Sequence, residues 1–122
     1  MISKKLILNN ASEINRLKAV IDETVKHRNK NSDSYRAWEE ACQNFHVQYY
    51  RLAFPGGLEG AYKRILDGDP YAMEAAIVFV ECRPFFFRSG YMFCDLIKKL
   101  KRAPLSNELK ERFEKVTESY EQ

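Results

Sequence analysis

Between positions 35 and 52 runs an apolar stripe with no break in its spacing. Tyr35, Trp38, Cys42, Phe45, Tyr49 and Leu52 follow one another at intervals of three and four. Side chains at those intervals share one face of an α-helix, whereas a strand needs alternation at two. The stripe runs for about five helical turns at 3.6 residues each. Aromatic residues dominate it and carry the largest buried areas, so this helix is expected to supply much of the core. "NKNSDS" precedes it, with Ser32 or Asp33 as the expected N-cap. "FPGG" at 54–57 ends it, because proline breaks the hydrogen-bond ladder and glycine releases the backbone.

The rest of the chain reads in the same period. Residues 1–9 are expected to be a short lead, a single extended segment around Leu6–Leu8. A first helix is expected over about 11–28, capped by Asn10 with Glu13, with Ile14, Leu17, Ile21 and Val25 inward. A short helix over about 58–67 turns Leu58, Tyr62, Ile65 and Leu66 inward. "DGDP" then stops one helix and starts the next. Gly68 suits a left-handed C-terminal position, Asp69 an N-cap and Pro70 a first turn. Residues 70–82 are apolar nearly all round, the mark of a buried central helix. Their two acids, Glu74 and Glu81, share one face and are expected to pair with arginines such as Arg83 or Arg88. A helix over about 90–102, capped by Ser89, turns Cys94, Ile97 and Leu100 inward. A last helix, capped by Ser106, carries Leu109, Phe113, Val116 and Tyr120.

These elements make an all-α, single-domain bundle over 1–122, with about six helices and the second and fourth central. Short loops allow the helices to be wound as pairs. A length of 122 residues and an apolar fraction of 45% suit one globular domain and exclude a disordered chain. The longest apolar run, Ala75 to Val80, is too short to cross a membrane. Three cysteines, Cys42, Cys82 and Cys94, argue against a disulfide framework. Reduced thiols and a cytoplasmic setting are expected.

Enzyme chemistry finds little footing. Cys42 and His46 are four apart, a spacing that can grip a metal, but no further donors stand at metal-like spacing and Cys42 belongs to the apolar stripe. No glycine-flanked nucleophile, Walker loop or dinucleotide fingerprint is present. The arginine–histidine spacing of small helical RNases is also missing. No catalytic residue, metal or cofactor is therefore expected. "KKLKR" at 98–102 offers a basic helix end near Phe86, Phe87 and Tyr91, an opening for an RNA- or DNA-binding regulator. A net charge of +3 adds little to that reading.

"RPFFFRSGY", residues 83–91, is the most unusual segment. Three phenylalanines between two helices can fill a corner where helices meet. Alternatively, Phe86, Arg88 and Tyr91 can stand out as partner-binding anchors, residue types common at interface hot spots. A second candidate surface lies opposite the stripe of the second helix. Asp33, Arg36, Glu39, Glu40 and Tyr50 fall there, in a region where Asp33, Glu39, Glu40 and Glu59 outnumber Arg36 and Arg51. One sign of charge steers an oppositely charged partner.

In its size, helical make-up and segments "DGDPYAMEAAIVFVECRPFFFRSGY" and "LIKKLKRAPLS", the chain resembles small helical bacterial immunity proteins of contact-dependent growth inhibition systems over residues 32–122. The resemblance implies a protein partner, a toxin domain neutralised by tight binding, and no catalytic group. Immunity proteins share no site by position, so it assigns no residue. Those directed against nucleases are often acidic, whereas this chain is mildly basic; the implied toxin is then not strongly basic.

Overall fold

A computed structural model describes residues 2–120, apart from the side chain of Tyr120. The described chain forms six helices: α1 (Lys4–Val25), α2 (Ser32–Leu52), α3 (Ala61–Leu66), α4 (Pro70–Cys82), α5 (Ser89–Arg102) and α6 (Asn107–Tyr120). The all-α expectation holds.

α4 is the centre. Ala72, Met73 and every residue from Ala75 to Val80 are buried, and α1, α3, α5 and α6 all pack against it. The cause is visible in the sequence, since a helix apolar all round needs neighbours all round. Its start is built as the motif predicts. Asp69 Oδ1 accepts from the backbone N–H groups of Tyr71 and Ala72 at 2.9 and 3.3 Å, and Pro70 opens the first turn. Gly68 adopts φ +87°, and a Cβ there would stand 3.0 Å from Pro104.

α2 is not central. It packs chiefly on α1 as the second arm of a hairpin. Of its stripe only Tyr49 and Leu52 are buried, while Tyr35 is 46% exposed. Periodicity locates an apolar face but does not say how many layers will cover it. Near the turn that joins α1 to α2, α2 makes local ring contacts. Tyr35 meets Trp38 at 5.5 Å, and the Arg28 guanidinium lies 4.8 Å over the Trp38 ring. The cap is Asn31, one residue before the expected Ser32 or Asp33.

α1 starts well before the expected Asn10. Ser3 caps it, its Oγ accepting from the Leu6 N–H at 3.1 Å. Residues 4–9 are thus helical rather than extended, and Ile7 and Ala11 join Ile14 and Leu17 in the core. The Ser3 cap and the spacing of Ile7, Ala11, Ile14 and Leu17 support the early start, and burial of Ile2 and Ile7 adds a tertiary contact to it.

α5 carries two further corrections. Its N-cap is Arg88, at φ 67°, and Ser89 is inside the first turn and buried. Cys94 points outward, while Met92, Phe93, Leu96 and Leu100 face the core. α6 packs on α4 through Phe113, with Leu109 and Val116 half-buried, and Ser106 Oγ caps it by accepting from the Leu109 N–H. Tyr120, the expected end of that stripe, has its side chain outside the described residues. Glu81 pairs across to Arg112 of α6 through two hydrogen bonds of 3.1 and 2.6 Å, not to Arg83 or Arg88. The Arg83 guanidinium lies instead over the Phe93 ring at 4.8 Å.

Candidate functional site

The segment joining α4 to α5 begins with a helix stop. Arg83 closes α4 in the left-handed region at φ 44°, its N–H donating to the Phe79 carbonyl at 2.9 Å. A non-glycine residue rarely holds that conformation, and Arg88 holds it again at φ 67°. Between these two reversals, each phenylalanine has its backbone tied by a different neighbour. Asn15 of α1 donates its side-chain N–H to the Phe85 carbonyl at 2.9 Å. The Phe86 N–H donates to Ser89 Oγ at 3.0 Å. Tyr49 of α2 donates its hydroxyl to the Phe87 carbonyl at 2.9 Å. The corner is therefore held in one shape from three sides. Burial raises the Tyr49 pKa above the ordinary tyrosine value.

The three side chains diverge. Phe86 is 5% exposed and meets Phe79 and Tyr49 edge-on at 6.2 and 6.0 Å. Phe87 is partly out, resting on Phe45 at 5.9 Å beneath the Arg88 guanidinium at 5.5 Å. Phe85 is 87% exposed, and Tyr91, on the first turns of α5, is 74% exposed. Between α1, the corner and α5 lies a groove of about 1050 Å³, with Lys18, Arg83 and Arg88 among its walls and no Asp or Glu among the described residues lining it.

The expected anchors are thus partly reassigned. Arg88 and Tyr91 are exposed and share the groove, as the anchor reading requires. Phe86 cannot be an exposed anchor, because it plugs the core between α4 and α2. Phe85 takes the outward place that the sequence left open. In a run of identical residues, only the backbone path decides which one points out.

On α2, Asp33, Arg36, Glu39, Glu40 and Tyr50 are all exposed. They do not form one cluster. Asp33 and Tyr50 stand about 25 Å apart at a rise of 1.5 Å per residue. Tyr50 belongs with His46, whose ring it meets at 5.3 Å, and with a small hollow formed with Leu58 and Glu59. Asp33, Arg36, Glu39 and Glu40 make no ion pair among the described residues. That stretch is a solvated, mainly acidic helix face.

At the end of α5, Lys98, Lys101 and Arg102 are exposed, Leu100 is buried, and Lys99 sits 5.9 Å over the Tyr62 ring. Phe86, one of the aromatics expected beside this run, is closed off in the core. Cys42 is half-buried and His46 exposed, and no group of three or more His, Cys, Asp or Glu side chains gathers as a metal site among the described residues. No helix is long and apolar enough to cross a membrane.

No protein-family model, curated protein or solved structure matches this chain.

Proposed function

We propose that this chain is a non-enzymatic protein-binding protein that docks its partner on the 83–91 corner, and that the partner is a toxin domain which it neutralises by binding. The observation that carries the docking site is Phe85, held 87% exposed on a backbone tied at both its own carbonyl and its neighbours. Burying a phenylalanine side chain releases about 1.5–3 kcal/mol of apolar transfer free energy, which here is left available for a partner. A preorganised corner loses little conformational freedom on binding, so more of that free energy appears as affinity. Tyr91 and Arg88 beside it are residue types that anchor interfaces. The toxin identity comes from the resemblance of residues 32–122 to immunity proteins. The acidic face of α2, with Asp33, Glu39 and Glu40, is the second candidate surface.

The test pairs the intact chain with toxin domains encoded beside its gene. Cells producing the toxin should survive when the wild-type chain is co-produced. The double variant Phe85→Ala, Tyr91→Ala should lose that protection with an unchanged circular dichroism spectrum. Protection that survives this variant but fails when Asp33, Glu39 and Glu40 are reversed to lysine would move docking to α2. Absence of any complex with a neighbouring toxin would remove the immunity reading.

A further inference from the structure

Resting on the reading of the corner as a docking site, we infer that its occupant is an acidic polypeptide segment. A large apolar side chain of that segment enters the groove between α1 and α5, and its carboxylates lie over the cations around the groove. Two independent features specify this chemistry.

The first is the wall of the groove. Phe79, Pro84, Phe85, Phe87 and Phe93 line it, so its interior is mainly carbon and receives an apolar group. It is concave, with α1 on one side and α5 on the other, so the matching feature is a protruding side chain rather than a flat surface. Phe85 and Tyr91 stand at its exposed margins and would close over such a side chain.

The second is charge. Lys18, Arg83 and Arg88 line the groove, and the adjoining hollow of about 490 Å³ adds Lys4, Arg112 and Lys115, with Arg83 common to both. The only carboxylate among the described residues lining either is Glu81, and Arg112 already holds it through two hydrogen bonds. Lys18 also contacts Asp22 at 2.7 Å, an exposed pair on α1 that a stronger anionic partner can displace. Lys115 likewise contacts Glu111 at 3.8 Å in another exposed pair. Among the described residues the two hollows are lined by six cations and one carboxylate, in a chain whose net charge is +3. Such a field selects and steers negative partners.

The same cations are partly committed to aromatic faces. The Arg83 guanidinium lies over Phe93 and that of Arg88 over Phe87. They form a charged margin around an apolar slot rather than a continuous phosphate track. A peptide that combines an apolar side chain with carboxylates satisfies both features at once.

The experiment screens phage-displayed random dodecapeptides against the immobilised full-length chain. Counter-screens use the folded variants Phe85→Ser with Tyr91→Ala, and Lys18→Glu with Arg88→Glu. Oligothymidine and phosphatidylserine-containing vesicles are tested in parallel. Enriched peptides should be net acidic around an aromatic or large aliphatic residue. Each counter-screen variant should weaken their binding about tenfold or more. Enrichment unaffected by the Phe85, Tyr91 variant means the corner is not the docking site, and both readings fall. Enrichment that needs Phe85 and Tyr91 but shows no acidic bias, or is indifferent to the two charge reversals, leaves the docking site standing and overturns the acidic occupant. Binding of the oligonucleotide or the vesicles with no enriched peptide overturns it as well, in favour of a nucleic acid or a bilayer.

Discussion

Phe85 and Phe86 are chemically identical neighbours with opposite physical roles. Phe86 fills space against Phe79 and Tyr49, so truncating it leaves a cavity. Phe86→Ala should cost about 3–5 kcal/mol. Phe85→Ala removes a side chain that touches mainly solvent and should change stability by no more than about 0.5 kcal/mol. Urea unfolding of the two variants checks this directly. Equal losses would mean that the corner is not folded as described. A second residue-scale prediction concerns Tyr62. Its hydroxyl donates to Asp95 Oδ2 at 3.3 Å, and burial first, then the Asp95 charge, pushes its pKa up to about 12. A free tyrosine ionises near about 10. The folded state thus favours the neutral phenol. Its stabilising contribution is whole below pH 10 and is lost as the pH rises towards 12. An ultraviolet titration should show late ionisation from Tyr62 and from Tyr49, whose pKa burial also raises, and Tyr62→Phe should remove one tyrosine from that late phase. A titration unchanged by the substitution would reject the assignment.

At the scale of the element, the junction between α3 and α4 is the most tightly specified. Gly68 is in the left-handed region and an added Cβ would stand 3.0 Å from Pro104, so an alanine there meets both a backbone penalty and a close contact. Gly68→Ala should destabilise the fold by about 1–2 kcal/mol, the size of the left-handed penalty for an L-residue. Asp69→Ala removes the acceptor for two N–H groups at the head of the central helix and should cost about 1 kcal/mol. Both are measured by thermal or urea unfolding. Asp69→Asn, which keeps an acceptor oxygen, should recover most of the second loss. If Asp69→Asn is as unstable as Asp69→Ala, capping is not the reason this residue matters.

For the whole molecule, stability is distributed unevenly. α4 is enclosed by four helices, whereas α2 packs chiefly on α1 and has no buried residue before Tyr49. Regions with few buried contacts open without global unfolding. Native-state hydrogen exchange should therefore show amides of residues 35–44 exchanging through a local opening. Amides of residues 75–80 should exchange only through global unfolding. Equal protection in the two segments would contradict this hierarchy. The corner is tied by Tyr49 to the buried end of α2, so the proposed docking surface lies beside the better-packed end of that helix.

Much of this organisation is local and can be read from residue order. The stripe from Tyr35 to Leu52, the all-apolar run of α4 and the Gly68–Asp69–Pro70 junction each follow from helical period or backbone preference, which depend on near neighbours alone. The exposure of Arg88 and Tyr91 was also legible, as polar and amphipathic residue types beside a helix start. Four features depend on contacts between distant segments and were not. Burial of Ile2 and Ile7 adds a tertiary contact to the early start of α1. The packing of α2 chiefly on α1 leaves Tyr35 exposed. The approach of α6 gives Glu81 to Arg112. The ties from Asn15 and Tyr49 orient the corner, turning Phe86 inward and Phe85 out. Residue order marked six helices and the buried centre at α4, but neither the start of α1 nor the outer place of α2. Tertiary structure alone decided which phenylalanine of the corner faces out, because the direction of a side chain in a non-helical corner is set by where the surrounding helices hold its backbone.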